Sequence, residues 1–66
     1  MYHVRFLGKP DEKKSCPVMG NIYFDERDEK KAYHAGSWAV RNGYYPFAQL
    51  FHDFEFIKFF GEEVEK

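Results

Sequence analysis

Ser37-Trp38-Ala39-Val40-Arg41-Asn42-Gly43-Tyr44-Tyr45-Pro46 carries the punctuation from which an architecture can be read. Aromatic and β-branched side chains at Trp38 and Val40 favour a strand over Ser37–Arg41. Asn42-Gly43 then supplies the residue pair of a type I′ turn, whose twist matches that of two flanking antiparallel strands. Tyr44-Tyr45 begins a return strand, and Pro46, without an amide hydrogen to donate, ends it.

The rest of the chain reads outward from this hairpin. Tyr2, Val4 and Phe6 alternate with His3, Arg5 and Leu7, the period of a short strand with some apolar surface on both faces. Residues 9–17 are polar and bounded by Pro10 and Pro17, which marks a surface loop. Gly20-Asn21 reads as a turn leading into a second strand at Ile22-Tyr23-Phe24. Residues 25–31 are all charged, and with no apolar side chain to dock they read as a solvated tip or loop. Glu26 and Lys30 nonetheless have the i,i+4 spacing of a helical ion pair. The last third has two readings. One is a short helical or 3₁₀ turn over Phe47–Phe51 followed by a strand over Phe54–Phe60. The other is a single amphipathic helix from Pro46 to Phe60, with proline in its first turn. The first gives an all-β chain of about five strands; the alternative is α+β, with hairpins plus a C-terminal helix. Residues 1–61 form one domain and residues 62–66 an acidic tail.

Composition bounds what such a domain can do. The chain has 66 residues and a net charge of −1. It is too short for a nucleotide-binding sheet or a barrel enzyme. Its single cysteine, Cys16, excludes an intrachain disulfide framework. No apolar run approaches the ~20 residues of a membrane helix. The first five residues lack a signal peptide's apolar stretch, so a cytoplasmic protein is expected. Eight Phe, five Tyr and one Trp face only eight Val, Ile and Leu. The core must therefore be built from rings, with Val4, Phe6, Ile22, Phe24, Trp38 and Val40 inside, joined by some of Tyr45, Leu50, Phe54 and Phe56. A domain this small cannot hide every ring. Several of Tyr23, Tyr33, Tyr44, Phe47, Phe51, Phe59 and Phe60 should stay partly exposed, and exposed apolar patches mark interfaces.

Three segments, in order, resemble SH3 domains. Val4-Arg5-Phe6-Leu7-Gly8 and the proline-bounded loop after it resemble their first strand and RT loop. Gly20-Asn21-Ile22-Tyr23 is similar to the segment opening their second strand. Trp38-Ala39-Val40 with Gly43-Tyr44-Tyr45-Pro46 resembles their tryptophan strand, distal hairpin and following strand. The likeness spans residues 4–57 and implies a small SH3-like β-barrel. The chain also resembles the short SH3-like proteins of Gram-positive bacteria and their phages. In signalling SH3 domains a proline-peptide groove would map onto Trp38, Pro46, Asp11 and Glu12. The Ala-Leu-Tyr-Asp-Tyr segment of those domains is absent, however, and Gln49 stands where they place a groove tyrosine.

No constellation of catalytic spacing stands out. Cys16, His3, His34 and Asp53 contain the residue types of a nucleophile set, but nothing in their spacing joins them. The histidines and cysteine lack metal-ligand spacing; His52-Asp53 is only an adjacent pair, whose side chains would point to opposite faces of a strand. No enzyme activity, cofactor or metal is expected. Arg5, Lys9, Lys13, Lys14 and Arg41, beside Trp38, Tyr44 and Tyr45, have the makings of a nucleic-acid surface. Residues 1–24 carry +2 and residues 53–66 carry −3. The carboxylates, Asp25 through Glu29 and Asp53 through Glu65 among them, offer a weaker case for imitation of phosphates. The expectation is a non-catalytic protein-interaction module, a small phage or mobile-element protein that binds or inhibits a host protein. Its contact residues are Trp38, Tyr44, Tyr45, Pro46, Phe47 and Phe51. The alternatives are a nucleic-acid-binding small barrel and a homo-oligomeric structural component, a homodimer included.

Overall fold

Residues 1–61 are described by the structure, a computed structural model; the acidic tail expected at 62–66 lies outside the described residues. The chain runs β1 (Tyr2–Leu7), β2 (Val18–Phe24), a 3₁₀ turn (Glu26–Asp28), α1 (Glu29–Arg41), β3 (Phe47–His52) and β4 (Glu55–Gly61). The four strands form one antiparallel sheet in the order β2-β1-β3-β4, with α1 packed on one face. The domain is small and β-rich, but the sheet is open. The five strands and closed barrel expected from the sequence are not formed, because the tryptophan segment is helical. A helix is present, as in the α+β alternative, but over 29–41 rather than 46–60.

β1 follows its alternating pattern. Tyr2, Val4 and Phe6 point to the helix side and are buried there. They join Ala32 and Ala39 of α1, Ala48 and Leu50 of β3, and Phe60 of β4 in the core. Val4 and Leu50, paired across β1 and β3, are both fully buried at its centre. The helix presents its smallest residues to the sheet: Ala32, Gly36 and Ala39 are its buried positions. At Gly36 a Cβ would lie 2.6 Å from the Phe60 ring, so glycine is what allows helix and sheet to approach this closely. Ala-Gly-Ala is a faint apolar stripe, and its faintness is why residues 25–31 read as an unanchored loop. Their charges form the exposed start of α1, whose dock begins at Ala32.

Asn42-Gly43 stops this helix instead of turning a hairpin. Gly43 has φ +79°, while Asn42 stays at φ −92°, so the paired positive φ values of a type I′ turn are absent. The Gly43 amide donates to the Val40 carbonyl and the Tyr44 amide to the Ala39 carbonyl, the two bonds of a Schellman cap. The Asn42 side chain adds a bond to the Trp38 carbonyl at 2.9 Å. The tight hairpin lies elsewhere, between β3 and β4, where Asp53 and Phe54 have φ +51° and +68°. Phe47–Phe51, expected as a helical turn, is part of β3. Gly20-Asn21 lies within β2. The strand expected over 54–60 is β4, one residue later at each end.

Burial departs from expectation as the topology does. Trp38 and Ile22, expected inside, are exposed. Of the four residues from which some were expected inside, Leu50 is fully buried while Phe54 and Phe56 are exposed. Phe60, one of the rings from which several were expected to stay partly exposed, is buried. Ile22 and Phe56 lie on β2 and β4, the sheet's two edges, where neighbours cover only one flank. Each edge strand carries an irregularity in its register, opposite Phe6/Leu7 and opposite Leu50/Phe51. Such bulges interrupt the ladder that another chain would extend. No helix among the described residues is long and apolar enough to cross a membrane.

Candidate functional site

The helix covers one face of the sheet and leaves the other without a layer above it. Strand alternation places His3, Arg5 and Leu7 of β1 on this outer face, with Asn21 and Tyr23 of β2. The register adds Phe47, Gln49 and Phe51 of β3, and Phe56 and Phe59 of β4. One ring from each strand falls in a single row. Tyr23 stacks on His3 with centroids 4.5 Å apart, His3 lies 5.4 Å from Phe51, and Phe51 meets the edge of Phe56 at 5.8 Å. With a strand spacing of ~4.8 Å, the row crosses roughly 14 Å of sheet.

Beside the ring row runs a row of hydrogen-bonding heads: Asn21, Arg5 and Gln49, ending at Phe59. The Arg5 guanidinium sits 4.9 Å from the Phe51 centroid, a cation–π contact that holds it over that ring. His3 is bonded to the Asn21 carboxamide oxygen at 2.6 Å, which fixes its ring between its two aromatic neighbours. At the β4 edge, Phe47 and Phe59 pack at 5.5 Å over Gly61, where a Cβ would meet the Phe59 ring at 2.7 Å. Among the described residues, no carboxylate faces outward from the sheet. Glu55 pairs with His52, which stacks on Tyr2 on the helix side.

Phe59 also borders a groove of about 460 Å³ at the β4 edge, lined by Ser37, Arg41 and Lys58 among others. A smaller groove, about 280 Å³, shares Arg41 and adds Lys9 and Pro46. The Arg41 guanidinium donates to the Ser37 hydroxyl at 3.1 Å. Neither Arg41 nor Lys58 forms an ion pair among the described residues.

The six contact residues expected from the sequence are dispersed. Trp38 and Tyr44 are both exposed and stack on each other at 5.1 Å beside the end of α1. Tyr45 turns inward onto Phe6 at 4.7 Å, so it belongs to the core's margin. Pro46 lines the smaller groove, and only Phe47 and Phe51 lie on the ring face. The cations expected to share one side are separated as well, Arg5 being on the outer face and Arg41 at the end of α1. His3 and Arg5 were legible as strand positions but not as a site, because the sequence does not say which face of a sheet goes uncovered.

A second cluster joins residues far apart in the chain. The Met1 ammonium bonds Glu26 Oε1 at 2.5 Å and Asp53 Oδ1 at 2.8 Å, and His52 Nε2 bonds the other Glu26 oxygen. The ammonium holds the Glu26 and Asp53 carboxyls below their ordinary range, chiefly by hydrogen bonding, with His52 adding to the effect at Glu26. The same bonds, to Asp53 first and then Glu26, raise the amine. Glu26, His52 and Asp53 bring ligand atoms within 4.8 Å of one another. The turn conformation at Asp53 brings neighbours expected to face apart to the same place. The chain's own ammonium bridges both carboxylates and His52 bonds Glu26, so the cluster reads as a clasp between the chain start, the 3₁₀ turn and the β3–β4 hairpin. His34 is on the helix and His3 on the opposite face of the sheet, which separates the components of the imagined nucleophile set.

No protein-family model, curated protein or solved structure gives a significant match to the chain.

Proposed function

We propose that this chain is a non-catalytic interaction module that holds a partner macromolecule against the outer face of its sheet. The observation that carries this reading is the row Tyr23–His3–Phe51–Phe56 on the face without a covering layer, one ring per strand, with Tyr23 and Phe56 exposed, Phe51 half-buried and His3 buried between its neighbours. Rings are rigid, offer large contact area and lose little rotamer freedom on binding, which is why they dominate interfaces. Phe54 extends the apolar surface at the adjoining hairpin. It is 78% exposed and held at positive φ, a combination that folding alone does not favour. A host protein is the partner expected from the sequence, and its phage or mobile-element setting rests on the sequence likeness alone. Single-stranded nucleic acid is the second class of partner, favoured by the charge of the same face.

Affinity capture from native extract tests the surface, with protein and nucleic acid both recovered and identified. Phe56→Ser and Tyr23→Ser are expected to abolish capture of a specific partner and leave the circular dichroism spectrum unchanged. Trp38→Ala with Tyr44→Ala is expected to leave capture intact. The opposite pattern would move the contact surface to the end of the helix.

A further inference from the structure

We infer that Glu26, His52 and Asp53 form a binding site for a divalent transition ion of the zinc class, in the place the Met1 ammonium takes between the two carboxylates. The site is built on the 3₁₀ turn and the β3–β4 hairpin and does not depend on the role proposed for the outer face.

The fold aims three ligand groups at one point. The 3₁₀ turn over Glu26–Asp28 brings the Glu26 carboxylate to the end of β3. His52 closes β3, and its ring stacks on Tyr2 with centroids 4.5 Å apart while Nε2 meets Glu26. Asp53 follows at φ +51°, a turn conformation that swings its carboxylate to the side of the imidazole. One ligand atom from each residue lies within 4.8 Å of the other two, and His52 Nε2 stands 3.7 Å from Asp53 Oδ2. Ligands bound at ~2.0–2.2 Å in a tetrahedron stand about 3.3–3.6 Å from one another, so small rotations of these side chains enclose an ion. The position between the carboxylates already attracts a cation. The Met1 ammonium bridges them there, 2.5 Å from Glu26 Oε1 and 2.8 Å from Asp53 Oδ1.

Charge and donor type then select the ion. With His52 neutral, two carboxylates and one ammonium leave a single negative charge, and a dication in the ammonium's place leaves none. The ammonium keeps its proton and moves into solvent, which half-exposed Met1 already reaches. His52 coordinates through the Nε2 lone pair, with its one ring proton at Nδ1. One imidazole nitrogen beside two carboxylates suits zinc and its neighbours, whereas magnesium and calcium take shells of oxygen. The other histidines form no comparable group among the described residues: His34 is on α1, and His3 is bonded to Asn21 on the outer face. Bound there, the ion joins the 3₁₀ turn to a hairpin that lies 26 residues further along the chain. The Glu26 and Asp53 side chains are 63% and 68% exposed, so its remaining position opens to solvent and the ion is exchangeable.

The test is titration of the metal-free full chain with Co²⁺, read by the visible absorption of the tetrahedral ion, and with Zn²⁺ in competition against it. One ion should bind per chain. Zinc at ~100-fold excess over its dissociation constant should raise the thermal midpoint by roughly 10 °C or more. In the unaltered chain, zinc should shift the imidazole magnetic-resonance signals of His52 and leave those of His34 in place. Glu26→Gln and His52→Ala should each weaken binding at least ~10-fold, because even indirect partners of a metal ligand are worth that much. Circular dichroism shows whether each variant is folded, and the His52 signals of the unaltered chain decide the matter if one is not. N-terminal acetylation removes the competing ammonium and should tighten binding. Absence of saturable zinc binding at ~1 mM overturns the inference. So does binding that survives both substitutions, a His52 ring unmoved by zinc, or displacement of cobalt by equal Mg²⁺. Weaker zinc binding by the acetylated chain overturns the replacement of the ammonium by the ion.

Discussion

At Gly36 a missing side chain decides how the two layers meet. The Phe60 ring occupies the space where a Cβ would sit, at 2.6 Å. Alanine at this position would gain helix propensity of about 1 kcal/mol. It would also force the ring or the helix aside, and overpacking of this kind costs about 1–3 kcal/mol. Steric overlap with a core ring should win, leaving Gly36→Ala destabilised by about 1 kcal/mol, and by no more than about 2, in urea unfolding. Unchanged or raised stability would mean that the helix can lift from the sheet at little cost. Glycine inside a helix-forming stretch ordinarily weakens a helical reading, so this contact was illegible until Phe60 was known to lie opposite.

Two short elements exchange the roles their residues suggest. Asn42-Gly43 has the best hairpin chemistry in the chain and serves as a helix stop. Asp53-Phe54 has poorer chemistry and makes the tight hairpin. Both sites need a residue at positive φ, which is why Asn-Gly alone does not tell them apart. The difference lies in what precedes each: a helix backed by Ala32, Gly36 and Ala39, against a strand alternating through Ala48 and Leu50. Gly43→Ala should cost about 1 kcal/mol, because a Cβ disfavours φ +79°. Phe54→Gly should stabilise by up to about 1 kcal/mol, since Asp-Gly is a preferred type I′ pair. Paired thermal melts of the two variants read both effects. If Phe54→Gly is destabilising, the ring holds structure despite its exposure.

Over the whole molecule, the Met1–Glu26–His52–Asp53 cluster ties the chain start to the 3₁₀ turn and the distal hairpin. Its pH dependence follows from the direction of each shift. Glu26 and Asp53 titrate below their ordinary 4.5 and 3.8, so their contribution is present above those values and fades as pH falls through the lowered ones. The amine titrates above its ordinary 8.0, so its contribution is full below 8.0 and fades as pH rises through the raised value. Thermal midpoints should therefore form a plateau from about pH 4.5 to 8.0 and decline on both sides. N-terminal acetylation should lower the plateau, and added salt should narrow the difference because the cluster is exposed. An acetylated chain with an unchanged profile would remove the clasp from the stability of the fold.

By itself the sequence determined that this is one small ring-rich domain. It also determined a strand at the start of the chain and an exposed aromatic surface, since a two-residue period and a surplus of aromatic rings are local facts, while the last third stayed open between a strand and a helix. Tyr2, Val4 and Phe6 were readable as one face of a strand from their spacing, and Val4 and Phe6 as core residues. Tertiary structure alone decided that Trp38 lies on a helix and that the sheet stays open. It also decided that His3 and Arg5 sit among Tyr23, Phe51 and Phe56. The physical reason is that Ala, Gly and Ala form a weak helical stripe until a large ring packs against them. In the same way, the function of a strand's second face depends on whether another layer covers it.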